Sequence, residues 1–201
     1  MANTYLKSTK SFGYKAQSAT ATALVLNIDG YSNARIALKA FGFTCANIAD
    51  YLYFMPVVAA TTVNGAVGSG LSTVILTSDT IGGSSAGAAT LAASDYIVLH
   101  QDNGAYHFTA VTSIHSSFTT EFTTQLTGDI ADGRTVWGLG AAGDSNTQKY
   151  LLTVSTQNTK DLESGLFYGT GKGYPAMLYY LSASATAVAS VDYVTIDYIG
   201  S

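Results

Sequence analysis

The sequence predicts an all-β protein, a β-sandwich or jelly-roll-like domain carrying an inserted small β-barrel or meander module. Three observations predict it: short apolar runs with period-2 alternation, turn dipeptides between those runs, and a change in composition along the middle of the chain. Runs at 22–28, 35–43, 51–58, 73–77, 96–101, 106–114, 118–124, 135–139, 149–155, 176–182 and 191–199 are rich in β-branched and aromatic residues and read as strands. Asp29-Gly30, Asn103-Gly104 and Asp132-Gly133 mark turns. Only short pieces near 44–50 or 160–164 read as a helical turn.

Composition changes at two places. Between Thr61 and Trp137 stand only Tyr96 and Tyr106 of the 14 tyrosines. The same stretch carries the acids Asp79, Asp95, Asp102, Glu121, Asp129 and Asp132 against the single base Arg134, and it holds the Gly/Ala/Ser-rich segments 64–70 and 82–93. The expected organisation is therefore a β-sandwich from 1–60 plus 138–201, with 61–137 inserted as a small β-module, since insertions are tolerated best at exposed loops. One continuous sandwich with long loops is the alternative.

One hairpin can be placed by register. Asn103-Gly104 is the preferred dipeptide of a two-residue type I′ turn, which sets Gln101 against Tyr106, His100 against His107 and Leu99 against Phe108. A second turn at Ser116-Ser117 sets Val111 against Phe122 and Thr112 against Glu121.

That register confronts His100 with His107, but two imidazoles fall short of the three or four ligands a zinc site needs, and His115 and Glu121 are placed elsewhere. No metal is expected. Gly165-Leu166-Phe167-Tyr168-Gly169-Thr170-Gly171-Lys172-Gly173 departs from a phosphate loop at Leu166 and Gly173, and reads as a turn. No G-x-S-x-G elbow occurs, and no acid is placed to orient a histidine. Asp192 and Asp197 are an odd number of residues apart and point to opposite faces of one regular strand. No catalytic residue and no cofactor are expected.

Only 11% of residues are charged, against about 25% in soluble proteins generally. Such a surface suits a protein covered by neighbours. The formal net charge of −4 and the lack of a basic groove exclude a nucleic-acid-binding role, and no run approaches the roughly 20 apolar residues of a membrane helix. Cys45, the only cysteine, lies in Phe41-Gly42-Phe43-Thr44-Cys45 and reads as a buried thiol. The first residues lack the apolar core of a secretory leader, so synthesis in a cytoplasm is expected.

Candidate interface residues fall in two groups. Residues 1–20 contain Lys7, Lys10 and Lys15, no acid, and the aromatics Tyr5, Phe12 and Tyr14, which fits an arm docking on an acidic protein neighbour or, alternatively, an edge strand. Tyr168, Tyr174, Tyr179 and Tyr180 enrich the C-terminal flank in a residue common at interfaces, with core packing as the alternative.

The stretch from Asp95-Tyr96-Ile97-Val98-Leu99-His100 through Asn103-Gly104 and Tyr106-His107-Phe108-Thr109-Ala110-Val111 to Gly133-Arg134-Thr135-Val136-Trp137 resembles a small β-module of bacteriophage head and tail proteins. The end, Ser190-Val191-Asp192-Tyr193-Val194-Thr195-Ile196-Asp197-Tyr198-Ile199-Gly200, resembles the last strand of virion jelly-roll or sandwich domains. The resemblance implies a non-enzymatic virion structural protein made in the host cytoplasm, foremost a capsid decoration or cement protein on the outside of a phage head. Its implied partners are the major capsid protein or another virion protein, and copies of itself, a homotrimer being favoured. A tail, baseplate or receptor-binding component is the second expectation, and a secreted carbohydrate-active protein the third.

Overall fold

The structure, a computed structural model, describes residues 7–13, 17–18, 22–28, 34–45, 50–84, 87–141, 148–152, 157–168, 176–181 and 189–200, with side chains at 37–40, 53–55, 57–82, 89–140 and 195–198. In chain order the strands are β1 (Lys7–Gly13), β2 (Gln17–Ser18), β3 (Thr22–Ile28), β4 (Ala34–Cys45), β5 (Asp50–Pro56), β6 (Ala59–Thr62), β7 (Thr73–Ile75), β8 (Gly82–Ser84) and β9 (Gly87–Ala89). They continue as β10 (Asp95–His100), β11 (Tyr106–Ile114), β12 (Thr119–Phe122), β13 (Thr135–Ala141), β14 (Gln148–Leu152), β15 (Gln157–Tyr168), β16 (Ala176–Leu181) and β17 (Ala189–Gly200). The described residues contain no α-helix, and the pairings β1–β17, β2–β17, β3–β16, β4–β15, β4–β17, β5–β16, β6–β13, β7–β12, β8–β9, β10–β11, β10–β13 and β11–β12 are antiparallel, as are two isolated bridges. The chain divides into two units, 1–56 with 149–201, and 57–148.

The first unit contains two sheets, ordered β1-β17-β4-β15 and β14-β5-β16-β3, with β2 also on β17. Its long strands pair from the outside inwards: β1 with β17, β3 with β16, β4 with β15, and β5 with β14. A long antiparallel hairpin rolled into two sheets produces this nested pairing, which is the jelly roll. Leu38 faces Ile196 and Leu166 across three strands. Consecutive residues Ile196, Asp197 and Tyr198 of β17 are buried, as are Tyr53, Phe54 and Met55 of β5. Successive side chains alternate between faces, so both faces of these strands are covered at those positions. The expected helical turn at 160–164 is absent: these residues lie within β15, which pairs with β4 across an irregularity between Asp161 and Leu166. Lys160 and Asp161 pair with Phe41 and Ala40, and 162–165 fall in that irregularity. Of the other expected helical piece, 46–49 lie outside the described residues.

The second unit is a six-stranded sheet ordered β6-β13-β10-β11-β12-β7. Its two ends meet: Val63 and Leu76 form a bridge, Asn64 N donates to the Ile75 carbonyl at 2.8 Å, and Thr77 N donates to the Thr62 carbonyl at 2.8 Å. The sheet is thereby a closed barrel, which leaves no edge exposed. Its interior is filled by Val63, Val74, Leu76, Ile81, Leu91, Ile97, Leu99, Val111, Phe122, Leu126, Ile130 and Val136. The Ile81 carbonyl lies directly over Gly138, where any Cβ would overlap it. The small hairpin β8–β9 follows, built from the Gly/Ala/Ser-rich segment that begins at Gly82.

Candidate functional site

The β10–β11 turn decides where the histidines go. Gln101 N donates to the Ala105 carbonyl at 2.9 Å and Gly104 N to the Gln101 carbonyl at 3.0 Å, so the loop is Asp102-Asn103-Gly104, three residues long. Gly104 alone of the three has positive φ, at 82°, the arrangement of a type I turn followed by a left-handed glycine. The expected two-residue turn is corrected accordingly. His100 faces Tyr106, Leu99 faces His107 and Val98 faces Phe108, so the two histidines stand on opposite faces.

His107 points into the barrel. Its Nε2 lies 3.1 Å from the Thr124 carbonyl oxygen and 3.2 Å from Thr124 Oγ1, and that hydroxyl lies 3.0 Å from Thr109 Oγ1. The carbonyl can only accept, so Nε2 carries the proton. Burial lowers the His107 pKa, and the Thr124 carbonyl opposes the shift. His100 instead packs edge-on against Trp137 at 4.0 Å and Tyr106 at 4.8 Å, while Tyr106 and Trp137 stack at 5.6 Å. Its pKa is lowered by burial and then by the Arg134 charge. Arg134 itself donates from Nε to Asp102 Oδ1 at 2.7 Å. Among the described residues no group of three or more His, Cys, Asp or Glu is placed to hold a metal.

A constellation that sequence reasoning missed lies at the other end of β11. Thr112 is skipped in the β11–β12 register, so Val111 faces Phe122 as expected, but Ser113, not Thr112, faces Glu121. Ser113 Oγ donates to Glu121 Oε2 at 2.7 Å, His115 Nε2 lies 3.2 Å from Glu121 Oε1, and Ser113 Oγ lies 3.2 Å from His115 Nε2. The residue types are those of a nucleophilic triad, yet the geometry cannot relay a proton. Both Ser113 and Glu121 address the same ring nitrogen, whereas a triad needs the acid on Nδ1 and the nucleophile on Nε2. Hydrogen bonding from Ser113 is the main cause holding the Glu121 pKa low. The cluster fastens the end of a hairpin.

Beside that hairpin the barrel exposes apolar side chains. Leu71, Ile75 and Phe118 are 53%, 41% and 42% exposed. Phe118 and Ser117 both adopt positive φ, 58° and 59°, in the turn joining β11 to β12, an unfavourable conformation for a bulky residue. The Phe118 carbonyl accepts from Leu76 N at 3.1 Å. Leu71 and Ile75 border a hollow of about 270 Å³ whose lining also includes Val67, Val74, Gly65 and Ala66. Its wall, the 64–70 segment, is strapped to 129–132: Val67 and Ile130 exchange two 2.8 Å hydrogen bonds, Ser69 N donates to Asp129 Oδ1 at 2.8 Å, and Gly65 N donates to Asp132 Oδ1 at 2.7 Å. Asn64 and Thr73 complete the lining.

Of the expected interface residues, Lys7, Lys10 and Phe12 lie in β1 at the edge of its sheet, Tyr168 ends β15, and Tyr179 and Tyr180 lie in β16. Tyr5, Tyr14, Lys15 and Tyr174 lie outside the described residues, as do 169–173 of the glycine-rich segment. Cys45 is the last residue of β4. Asp192 falls at a β17 irregularity, between Val191 and Tyr193, so simple alternation does not run from it to Asp197, which is buried.

The chain matches no family model and no curated protein. Among solved structures it is similar to VP17, a capsid protein of bacteriophage P23-77, at 12% identity over 99% of both chains with a TM-score of 0.23. It is also similar to the complex of VP16 and VP17, the two major capsid proteins of that phage, at 11% identity over 96% of this chain and 99% of that one, TM-score 0.23. A structure of infectious bursal disease virus, Gt strain, matches 98% of this chain and 42% of that one at 13% identity and a TM-score of 0.13.

Proposed function

We propose that the chain is a structural protein of a bacteriophage virion, and within that class a capsid decoration or cement protein seated on the outside of the head. The observation that carries the reading is the nested strand pairing of the first unit, a jelly roll of the kind found in viral capsid and lectin domains. Jelly rolls host other functions too, and the surface composition selects among them. At 11% charged residues the chain is built from hydroxyls, glycine and small apolar groups, which suits assembly better than a freely diffusing enzyme.

In this role the protein binds the major capsid protein or another virion protein and associates with its own copies, a trimer being the favoured state. The test is to label the protein with gold-conjugated antibody on purified particles. Label over the head exterior supports decoration, and label confined to the tail moves the protein to the tail or baseplate. Particles free of the protein overturn the virion reading altogether.

A further inference from the structure

The second unit contains the tripeptide Asn-Gly-Ala twice, at 64–66 and at 103–105, exposed in both places. Asparagine followed by glycine is chemically labile, because glycine has no Cβ to hinder its amide nitrogen from reaching the asparagine carboxamide carbon. The glycines hold similar left-handed conformations, φ 90° at Gly65 and 82° at Gly104. What separates the two sites is the company that the reacting groups keep.

At Asn103 the fold opposes cyclisation. Asn103 Oδ1 accepts from Ala105 N at 2.9 Å, which turns the carboxamide forward across the turn, and Gly104 N donates to the Gln101 carbonyl at 3.0 Å. Both reacting groups are committed, and a carbonyl oxygen is too weak a base to take the Gly104 proton. At Asn64 the partners differ. Gly65 N donates to Asp132 Oδ1 at 2.7 Å, so the nitrogen that must lose a proton already points it at a carboxylate. Among the described residues the Asn64 carboxamide has no hydrogen-bond partner, and a Cβ built on Gly65 would meet nothing within 4 Å, which leaves room for a ring.

We propose that Asn64-Gly65 is a self-modification site, at which Asp132 assists closure of a succinimide, and that the β10–β11 turn spares Asn103-Gly104. The bond that forms joins Gly65 N to Asn64 Cγ, and the bond that breaks is Cγ–Nδ2. The proton of Gly65 N passes to Asp132 and from there, through solvent, to the departing nitrogen, which leaves as ammonia. Water then opens the ring to aspartate or isoaspartate. Either product adds a carboxylate beside Asp132. Isoaspartate also lengthens the main chain by one methylene, next to the bond from Asn64 N to the Ile75 carbonyl where the barrel closes.

The test incubates the full chain at mildly alkaline pH and follows the chymotryptic peptides carrying residues 64 and 103. Mass spectrometry reads the replacement of NH2 by OH, and electron-transfer fragmentation identifies isoaspartate. A parallel incubation in strong denaturant gives the rates that the two tripeptides have without the fold. In the folded protein residue 64 should convert about tenfold or more faster than residue 103, and denaturant should bring the two rates together. Asp132→Asn keeps an oxygen for Gly65 N but removes the base. It should slow conversion of residue 64 about tenfold in the folded protein, leaving the rate in denaturant and the β-sheet circular dichroism unchanged. The further Asn-Gly pair that this substitution creates lies on a separate peptide and does not enter the reading. Conversion of residue 103 as fast as residue 64 in the folded parent overturns the proposal, as does a residue 64 that converts only in denaturant. An unchanged rate at residue 64 in folded Asp132→Asn overturns it equally, because Asp132 then takes no part.

Discussion

Across the barrel interior, the His107 ring donates from Nε2 to the carbonyl oxygen of Thr124 at 3.1 Å, inside a cluster completed by Thr109 and Thr123. Burial lowers the pKa of His107, and burial first and Arg134 second lower that of His100. Both groups bind protons more weakly in the folded protein than in the unfolded chain, where histidine titrates near about 6.5. Stability from this source is complete above that value and is lost as pH falls through it towards the folded pKa. Thermal melts should show a plateau above about pH 7 and a decline below about 6.5. His100→Gln with His107→Gln should flatten the decline between about pH 6.5 and 5, and chelator should leave both proteins unchanged. A decline equally steep in the double variant would assign it to other groups.

Ser117 and Phe118 hold left-handed conformations at the β11–β12 turn, at a cost of about 1 to 2 kcal/mol for each residue with a Cβ. Replacing the pair by Asn-Gly, which prefers this turn, should stabilise the protein by about 1 kcal/mol in urea unfolding. Destabilisation would mean that the exposed Phe118 ring contributes more through contact than its backbone costs.

Gly138 and Gly68 should differ in their response to alanine. A Cβ at Gly138 meets the Ile81 carbonyl, whereas one at Gly68 has Asp129 Oδ1 as its nearest neighbour at 3.9 Å. Gly138→Ala should cost about 2 kcal/mol or more, and Gly68→Ala should change stability by less than about 0.5 kcal/mol. Equal melting temperatures for the two variants would contradict the close packing of 81 on 138.

Barrel closure predicts hydrogen-exchange protection. The amides of Asn64 and Thr77 donate to Ile75 and Thr62, so they should exchange as slowly as the amides of β10. Exchange at unprotected rates would show an open sheet. Thr77→Val, which loses the 3.0 Å bond from Thr77 Oγ1 to the Thr62 carbonyl, should cost about 1 kcal/mol and speed exchange at both amides.

What the sequence determined by itself is local: the all-β class, the run of residues in most strands, and the positions of turns at Asn103-Gly104 and Ser116-Ser117. Alternation and turn chemistry are properties of neighbouring residues, so they can be read without a partner strand. Register was decided only by tertiary structure. A left-handed glycine at 104 closes either a two-residue or a three-residue loop, and the difference of one residue sends His100 and His107 to opposite faces. The irregularity at Thr112 likewise brings Ser113 and His115 to Glu121, a meeting that no local pattern announces because a bulge depends on how the paired strand is held. The short piece at 160–164 reads as a helical turn because its polar run has helix propensity, but it lies within β15, whose flanking residues pair with β4. Closure at Val63 and Leu76, and the hollow beside Leu71 and Ile75, exist only once residues distant in sequence share one core.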